Sequence, residues 1–210
     1  MRREAALARD AAVEPSEITA RLKECRLCAL RFAATETQHT PRPIFQLDPR
    51  ARLLIASQAP GMRAHRSGLP FDDPSGDRLR AWLGVGRDIF YDASRIAIVP
   101  MGFCFPGYDA KGSDLPPPPL CAETWREAML GLLPNIGLTL AIGQYAQRWH
   151  LGRAPKGGLT ARVAAWRESP AGILPLPHPS WRNTAWLKRN PWFEADVLPE
   201  LRARVAALVR

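Results

Sequence analysis

The chain has 210 residues, of which 46% are hydrophobic and 23% are charged, a balance typical of a folded globular protein rather than a disordered one. A membrane span requires a run of roughly 18 apolar residues, and the sequence holds no such run. Residues 1–4 (MRRE) lack the apolar segment of an export signal. We therefore expect a cytoplasmic protein that does not act at a membrane, with a single domain over residues 1–210.

The basic side chains outnumber the acidic ones, 29 to 20, which gives a formal net charge of +9. Only four of the basic residues are lysines, so arginine dominates. Because the planar guanidinium group suits phosphate, the composition predicts a polyanionic partner, with nucleic acid as the first candidate. The alternative is that an arginine- and alanine-rich composition reflects codon usage and that the charges are simply solvated.

Four short apolar runs bounded by glycine and proline predict buried parallel strands at residues 52–56, 96–99, 138–142 and 173–176. The proline inside the last run places that strand at an edge of the sheet or makes it irregular. Amphipathic or capped stretches predict helices from residue 15 toward Cys25, and over residues 75–83, 122–133 and about 191–209. The repeated strand–helix order predicts the α/β class: a three-layer α/β/α sandwich around a mainly parallel four-stranded sheet.

Two polar segments follow the first and last predicted strands, SQAPG at residues 57–61 and HPSWRN at residues 178–183. The Pro-Gly bend exposes backbone N–H groups, and His178 is fixed between two prolines. Each segment alone is typical of an ordinary turn or a structural histidine. At the carboxyl ends of parallel strands, where ligands bind, together they predict a functional site.

The four cysteines form a Cys25-x2-Cys28 pair and a distant pair, Cys104 and Cys121, with 16 residues between its members. A cytoplasmic chain is not expected to hold structural disulfides. Four thiolates instead indicate a site for a metal or a cluster. Four free buried thiols are the alternative.

The pairing of QAPG with HPSxRN resembles the uracil-DNA glycosylase superfamily, over about residues 25–192. The cysteines are similar in order and placement to the iron–sulfur ligands of the thermophile-type branches, and stretches within residues 59–77 resemble the first motif and following loop of those branches. The ending motif at residues 178–183 is more similar to that of the single-strand-selective monofunctional branch.

The resemblance implies the same α/β/α fold and a monofunctional glycosylase of base-excision repair. Its partner would be DNA containing a damaged base, typically uracil, which must leave the stack before its bond to deoxyribose is hydrolysed. The implied enzyme needs no diffusible cofactor and no obligate protein partner. The cysteines would hold a structural [4Fe–4S] cluster that orders residues 105–120, with zinc as the second possible occupant.

The resemblance also implies a role for each site residue. His178 would donate a hydrogen bond to the base oxygen as that base becomes an anion, assisted by backbone N–H groups around Gln58 and Ala59. Phe71 would stack on the extruded base. The alternative for Phe71 is a place in the core after Pro70.

The water activator departs from the pattern of the superfamily. Best-studied members have Asp at the position of Ala59, and one iron–sulfur branch has Glu at the position of Gln58, whereas neither residue here can act as a base. The other iron–sulfur branch places Asp in the following loop, a role that Asp73 fits better than Asp72. The alternative is that both acids cap the helix that begins near residue 75.

Base recognition departs from the pattern as well. Many relatives have Asn after the second strand, whereas residues 99–103 contain no side-chain amide. Recognition of the base would rest on backbone groups, on Gln58 or on Asn183. The accepted base is therefore open, with hypoxanthine and xanthine beside uracil.

The ending motif predicts the contacts with DNA. Arg182 occupies the position of the wedge that fills the gap left by the flipped base. Trp181, Lys188 and Arg189 form an aromatic and basic run around it. Ser180 would bind a nearby phosphate.

Two rival functions remain open. Because Ala59 and Gln58 replace the usual acids, the chain could be a DNA-binding module of this fold that has lost or changed its activity. A cluster- or zinc-containing hydrolase acting on free nucleosides is the other rival.

Overall fold

A computed structural model describes residues 15–209. Residues 1–4, on which the expectation that the protein is not exported rests, lie outside the described residues. The strands are β1 (Leu53–Ala56), β2 (Ile96–Ile98), β3 (Leu138–Ile142) and β4 (Ile173–Leu176). The helices are α1 (Pro15–Lys23), α2 (Ala29–Ala33), α3 (Met62–Ser67), α4 (Pro74–Leu83), α5 (Arg87–Phe90), α6 (Pro119–Gly131), α7 (Gly143–Leu151), α8 (Gly158–Ala164), α9 (Thr184–Arg189) and α10 (Leu198–Val209). Short 3₁₀ turns lie at Trp166–Glu168 and Trp181–Asn183, and a π-helical turn lies at Phe193–Val197.

The four strands form one parallel sheet in the order β2-β1-β3-β4, which confirms the predicted fold class. In the two pairings that β1 makes, Ile55 lies beside Ile98 of β2 and Leu140 of β3. All residues of β1 and β3 are buried, because helices cover both faces of the sheet. Within residues 15–209, no helix is long and apolar enough to cross a membrane.

Alternate side chains of β1 point to two separate cores. Leu53 and Ile55 join a core formed with α4 and α10, whereas Leu54 faces a second core that includes Leu22 of α1 and Met129 of α6. The sheet is therefore the middle layer of three, as the strand–helix order predicts.

Both edges of the sheet carry a distinctive residue. β4 is an edge strand and contains Pro175, as predicted from the proline. At the opposite edge, Gln46 exchanges two backbone hydrogen bonds with Ile98 of β2, at 3.0 and 2.8 Å. The Gln46 side chain also donates to the carbonyl oxygen of Ile96 at 2.7 Å.

The last predicted helix differs from its expected course. Its α-helical part begins at Leu198, not near Pro191, and the preceding turn at Phe193–Val197 is π-helical. Pro199 explains the change, because its ring nitrogen has no hydrogen to donate to the carbonyl group four residues earlier. The chain stays helical there only by widening the turn.

The strand order also fixes where a ligand site can lie. The connection from β1 leads to β2 on one side, and the chain then crosses back to β3 on the other side. Such a reversal opens a crevice beyond the carboxyl ends of the strands. The segments after β1, β2 and β4 all reach this crevice.

Candidate active site

A polar cavity of about 270 Å³ lies at the carboxyl ends of the strands. It brings together the segments that follow β1 and β4, on which the predicted site depended. Its lining residues are Ile44, Ser57, Gln58, Ala59, Pro60, Gly61, Ala64, Pro70, Phe71, Asp73, Ser75, Ile98, Pro100, Asp114, His178, Ser180 and Arg182. We call it the polar cavity below.

The loop after β1 is fixed by the segment after β2. The backbone N–H of Met101 donates to the carbonyl oxygen of Ser57 at 2.8 Å, and that of Gly102 donates to Gln58 at 2.9 Å. Gly61 is extended and directly precedes α3 as its N-cap residue. These bonds hold the backbone of Gln58 and Ala59 in one position on the cavity wall.

Phe71 lines the cavity in a left-handed backbone conformation, with φ at 56°. Its carbonyl oxygen accepts hydrogen bonds from the Tyr91 hydroxyl at 3.3 Å and from Arg80 at 3.4 Å. A Cβ atom at Gly76 would lie 1.8 Å from the same oxygen, so only glycine permits this approach. The Phe71 ring packs edge-on against Phe90 of the core, with centroids 6.2 Å apart. Phe71 thus lines the cavity and belongs to the core at once.

Asp73 also has two roles. Its Oδ1 accepts the backbone N–H of Gly76 at 2.9 Å and so caps α4, while the residue lines the polar cavity. Asp72 instead pairs with Arg87 at 3.3 Å and is not among the lining residues. Of the two neighbouring acids, only Asp73 is available to a ligand in the cavity.

His178 is held in one tautomer. The backbone N–H of Ser180 donates to Nδ1 at 3.2 Å, so the neutral ring carries its proton on Nε2. Burial lowers the pKa of His178 below its ordinary value, and nearby Asp73 opposes that shift. The imidazole is therefore neutral near pH 7, with Nε2 as a hydrogen-bond donor.

Asn183 positions this histidine instead of lining the cavity. Its side-chain amide donates to the carbonyl oxygen of His178 at 2.7 Å. On the same segment, the carbonyl oxygen of Ser180 accepts from Arg78 of α4 at 2.9 Å. The turn that carries His178 is thus tied both to itself and to α4.

A shallow groove of about 690 Å³ adjoins the polar cavity. Arg182 lies between them and lines both, with its guanidinium group 5.7 Å from the ring of Trp181 and a hydrogen bond to Gly112 at 3.4 Å. Arg63 and Arg66 of α3 line the same groove, whose three arginines outnumber its two carboxylates, those of Asp73 and Asp114. We call this surface the basic groove.

Two predicted DNA-binding residues lie away from both features. Lys188 and Arg189 are exposed on α9 and line neither the polar cavity nor the basic groove. The Arg189 guanidinium donates to the carbonyl oxygen of Ala185 at 3.2 Å.

A scan against protein-family models matches residues 44–202 to the uracil-DNA glycosylase superfamily. This range covers the sheet, the polar cavity and every residue that lines the basic groove except Thr37. The chain belongs to the uracil-DNA glycosylase superfamily. Members of the superfamily are glycosylases that act on DNA.

Sequence reasoning missed two charged residues in this superfamily member. Asp114 lines the polar cavity from the long connection after β2, in which no periodic pattern identifies it. Arg126 is fully buried, and it donates to the carbonyl oxygen of Val99 at 2.9 Å and to His150 Nε2 at 2.7 Å. Its position three residues before Met129, on the buried face of α6, was a usable signal.

Arg126 stabilises the wall of the polar cavity from behind. It also donates to the carbonyl oxygen of Pro100, a lining residue, at 3.2 Å. Burial lowers the pKa of Arg126 to about 10 and that of His150 to about 4. His150 is therefore neutral and acts as the acceptor in this pair.

The four cysteines line a second, small cavity, together with apolar and proline side chains. Burial and the neighbouring thiol of Cys121 raise the pKa of Cys104 to about 12, and burial raises that of Cys121 to about 11. A backbone N–H donates to sulfur at Cys121, from Phe103 at 3.4 Å. Among residues 15–209, no three His, Cys, Asp or Glu side chains are arranged to hold a metal ion. We call this feature the cysteine cavity.

Proposed function

We propose that this protein is a monofunctional DNA glycosylase that hydrolyses the N-glycosidic bond of uracil or another deaminated base in DNA. The observation that carries the proposal is the fixed tautomer of His178, whose Nε2–H is the available donor of the polar cavity. A base that leaves as an anion requires such a donor, and a neutral imidazole supplies it without losing its proton.

The remaining roles follow from charge. Cleavage builds positive charge on the sugar and negative charge on the base. The rigid backbone around Gln58 and Ala59 offers further donors to the base, and the Phe71 ring offers it a flat face. Asp73 stabilises the cationic sugar and orients the attacking water.

The basic groove supports DNA as the substrate. Its arginines suit the phosphate backbone, and Arg182 lies where the groove meets the polar cavity. In our proposal Arg182 fills the gap left by the flipped base, Trp181 supports its guanidinium group and Ser180 binds a flanking phosphate. Lys188 and Arg189 add positive charge on α9, outside the basic groove.

The test is a panel of labelled oligonucleotides, each carrying uracil, hypoxanthine or xanthine, single-stranded or paired, followed by alkaline strand scission. We expect scission at one deaminated base and no scission without alkali, because a monofunctional enzyme leaves the abasic site intact. Salt-dependent binding without base release at any of the bases would instead identify a DNA-binding module. Ala59 and Gln58, which replace the usual acids, favour that second candidate.

We also propose that Cys25, Cys28, Cys104 and Cys121 hold a structural [4Fe–4S] cluster. Four thiolates are the ligand set of such a cluster, and all four residues line one cavity. A backbone N–H donor to sulfur, as at Cys121, is a further feature of these sites. The bound cluster would supply rigidity near the DNA and no step of the hydrolysis.

Elemental analysis and absorption spectroscopy test the proposed cluster. We expect a brown protein with about four iron atoms per chain and an absorption band at about 400 nm, both lost in Cys104→Ser. A colourless protein with one zinc ion would place zinc in the cysteine cavity and would contradict the cluster. We further propose that the enzyme works in the cytoplasm, where thiols stay reduced.

A further inference from the structure

Asp114 reaches the polar cavity on a loop that is held by its own hydrogen bonds. Tyr108 and Asp114 form an isolated antiparallel bridge, and Leu115 donates to the carbonyl oxygen of Gly107 at 2.8 Å. Within the loop, the Asp109 carboxylate accepts the backbone N–H of Ser113 at 2.8 Å. The position of Asp114 is therefore set by the backbone of the loop and not by a flexible tether.

Asp114 and Asp73 converge over Gly61. A Cβ atom at Gly61 would lie 3.8 Å from Oδ2 of Asp73 and 3.9 Å from Oδ2 of Asp114. The sum of these distances, 7.7 Å, is the upper limit of the separation between the two oxygens. Because Gly61 has no side chain, the space between the carboxylates stays open to a small molecule.

We propose that Asp114 is the general base that activates the attacking water, and that Asp73 holds the same water from the opposite side. This role rests on the glycosylase activity proposed above. The water oxygen forms a bond to C1′ of the deoxyribose as the bond from C1′ to the base nitrogen breaks. The bonding electron pair leaves with the base, and one water proton passes to the Asp114 carboxylate.

The two carboxylates are not equivalent, and their contacts decide which one takes the proton. Oδ1 of Asp73 already accepts the Gly76 N–H at the start of α4, where negative charge is favoured. For Asp114, the described part of the chain provides no comparable side-chain hydrogen bond.

The surroundings of Asp114 also suit a base. Although much of the residue is exposed, packing around its carboxyl group and the charge of Asp73 raise its pKa, while Arg182 opposes that shift. A base is most effective when its pKa lies nearer the working pH.

Single-turnover base release tests the proposal directly. We expect Asp114→Asn to slow release about 100-fold or more, since general bases contribute about 10²–10⁴-fold. Asp88→Asn is the matched control, because Asp88 is exposed at the start of α5 and lies outside the cavity. Release by Asp114→Asn within threefold of the Asp88→Asn rate would overturn the proposal. Equal melting temperatures of the two variants show that both are folded.

A binding measurement tests the same placement without turnover. Duplexes carry either a pyrrolidine abasic nucleotide, which is cationic, or a neutral tetrahydrofuran one. We expect the wild type to prefer the cationic analogue and Asp114→Asn to lose about tenfold of that preference, because a facing negative charge is removed. An unchanged preference in Asp114→Asn would overturn the proposal.

The two experiments separate this inference from the proposed function. If the wild type releases no base but its preference for the cationic analogue depends on Asp114, the placement of the carboxylate is supported and the glycosylase activity fails. If the wild type and Asp114→Asn release base equally fast, the activity stands and the role of Asp114 fails.

Discussion

The polar cavity and the cysteine cavity lie back to back, yet they are built from opposite materials. One is lined by carboxylates, a histidine and an arginine and opens beside the basic groove, whereas the other is lined by thiols, prolines and apolar side chains. Gly102 joins them, because it lines the cysteine cavity and donates its N–H to Gln58 of the polar one.

The contact at Gly102 leaves no spare room. A Cβ atom there would lie 2.9 Å from Cβ of Pro117 and 3.6 Å from Cβ of Ala59. The wall of the polar cavity is therefore supported by the segment that carries Cys104. We therefore expect the chemistry of the polar cavity to depend on the order of the cysteine cavity.

The largest expected effect lies in the polar cavity alone. We expect His178→Ala to lower the rate of base release by about 10²–10³-fold, because it removes the donor to the departing base. The measurement is single-turnover cleavage of the preferred oligonucleotide. Binding to undamaged duplex should stay within about twofold, since His178 does not line the basic groove. A large loss of binding would assign His178 to DNA contact instead.

A substitution in the shared wall should disturb both cavities. We expect Gly102→Ala to lower the free energy of unfolding by about 1–3 kcal/mol through overpacking, and to reduce both iron content and base release. Gly131→Ala is the matched control, because no atom lies within 4 Å of the added Cβ and its backbone is helical. If Gly102→Ala affects only one of the two properties, the cavities are independent.

Acid should lower the free energy of unfolding through His150, the partner of Arg126 behind the wall of the polar cavity. Its pKa in the folded protein is about 4, below the ordinary 6.5, so the unfolded chain binds the proton first as the pH falls. The stability is thus complete above pH 6.5 and decreases as the pH falls toward 4, by about 2 kcal/mol after allowance for partial exposure. Urea unfolding at pH 7 and pH 4.5 measures this loss, and His150→Gln should reduce it. An equal loss in the variant would place the acid sensitivity elsewhere.

The smallest expected effect concerns the basic groove. We expect Arg182→Ala to weaken DNA binding about fivefold and to reduce the slope of log K against log salt by about 1, as loss of a phosphate contact does. Lys188→Ala, on the exposed face of α9, should weaken binding less because it lies outside the groove. Titrations at several salt concentrations measure both, and an equal effect of the two variants would extend the DNA path to α9.

The sequence predicted the sheet better than it predicted the site. The boundaries of β3 and β4 match, since short, mostly apolar runs bounded by glycine or proline leave little freedom. The closing helix predicted from about residue 191 is helical over that range, but its turn at Phe193–Val197 is π-helical, because Pro199 cannot donate one of the α-helical hydrogen bonds. Seven of the predicted site residues line the polar cavity, namely Gln58, Ala59, Phe71, Asp73, His178, Ser180 and Arg182.

Asp114 shows the limit of reasoning from local pattern. It lies in a connection without helical or strand periodicity, and only the tertiary fold brings it over Gly61. Arg126 differs, since its place on the apolar face of α6 predicts burial even though its charge argues against it. Long loops and buried charges are the places where a single sequence carries the least information.

Gln46 and Pro175 have a consequence for the behaviour of the protein at high concentration. An unprotected outer strand recruits strands from other molecules and seeds cross-β polymers. Here the edge strand β2 already pairs with Gln46, and the other edge strand, β4, contains Pro175, which has no backbone N–H to donate. We expect the folded molecule to resist amyloid-like growth by strand addition, even where many copies bind to the same polyanion.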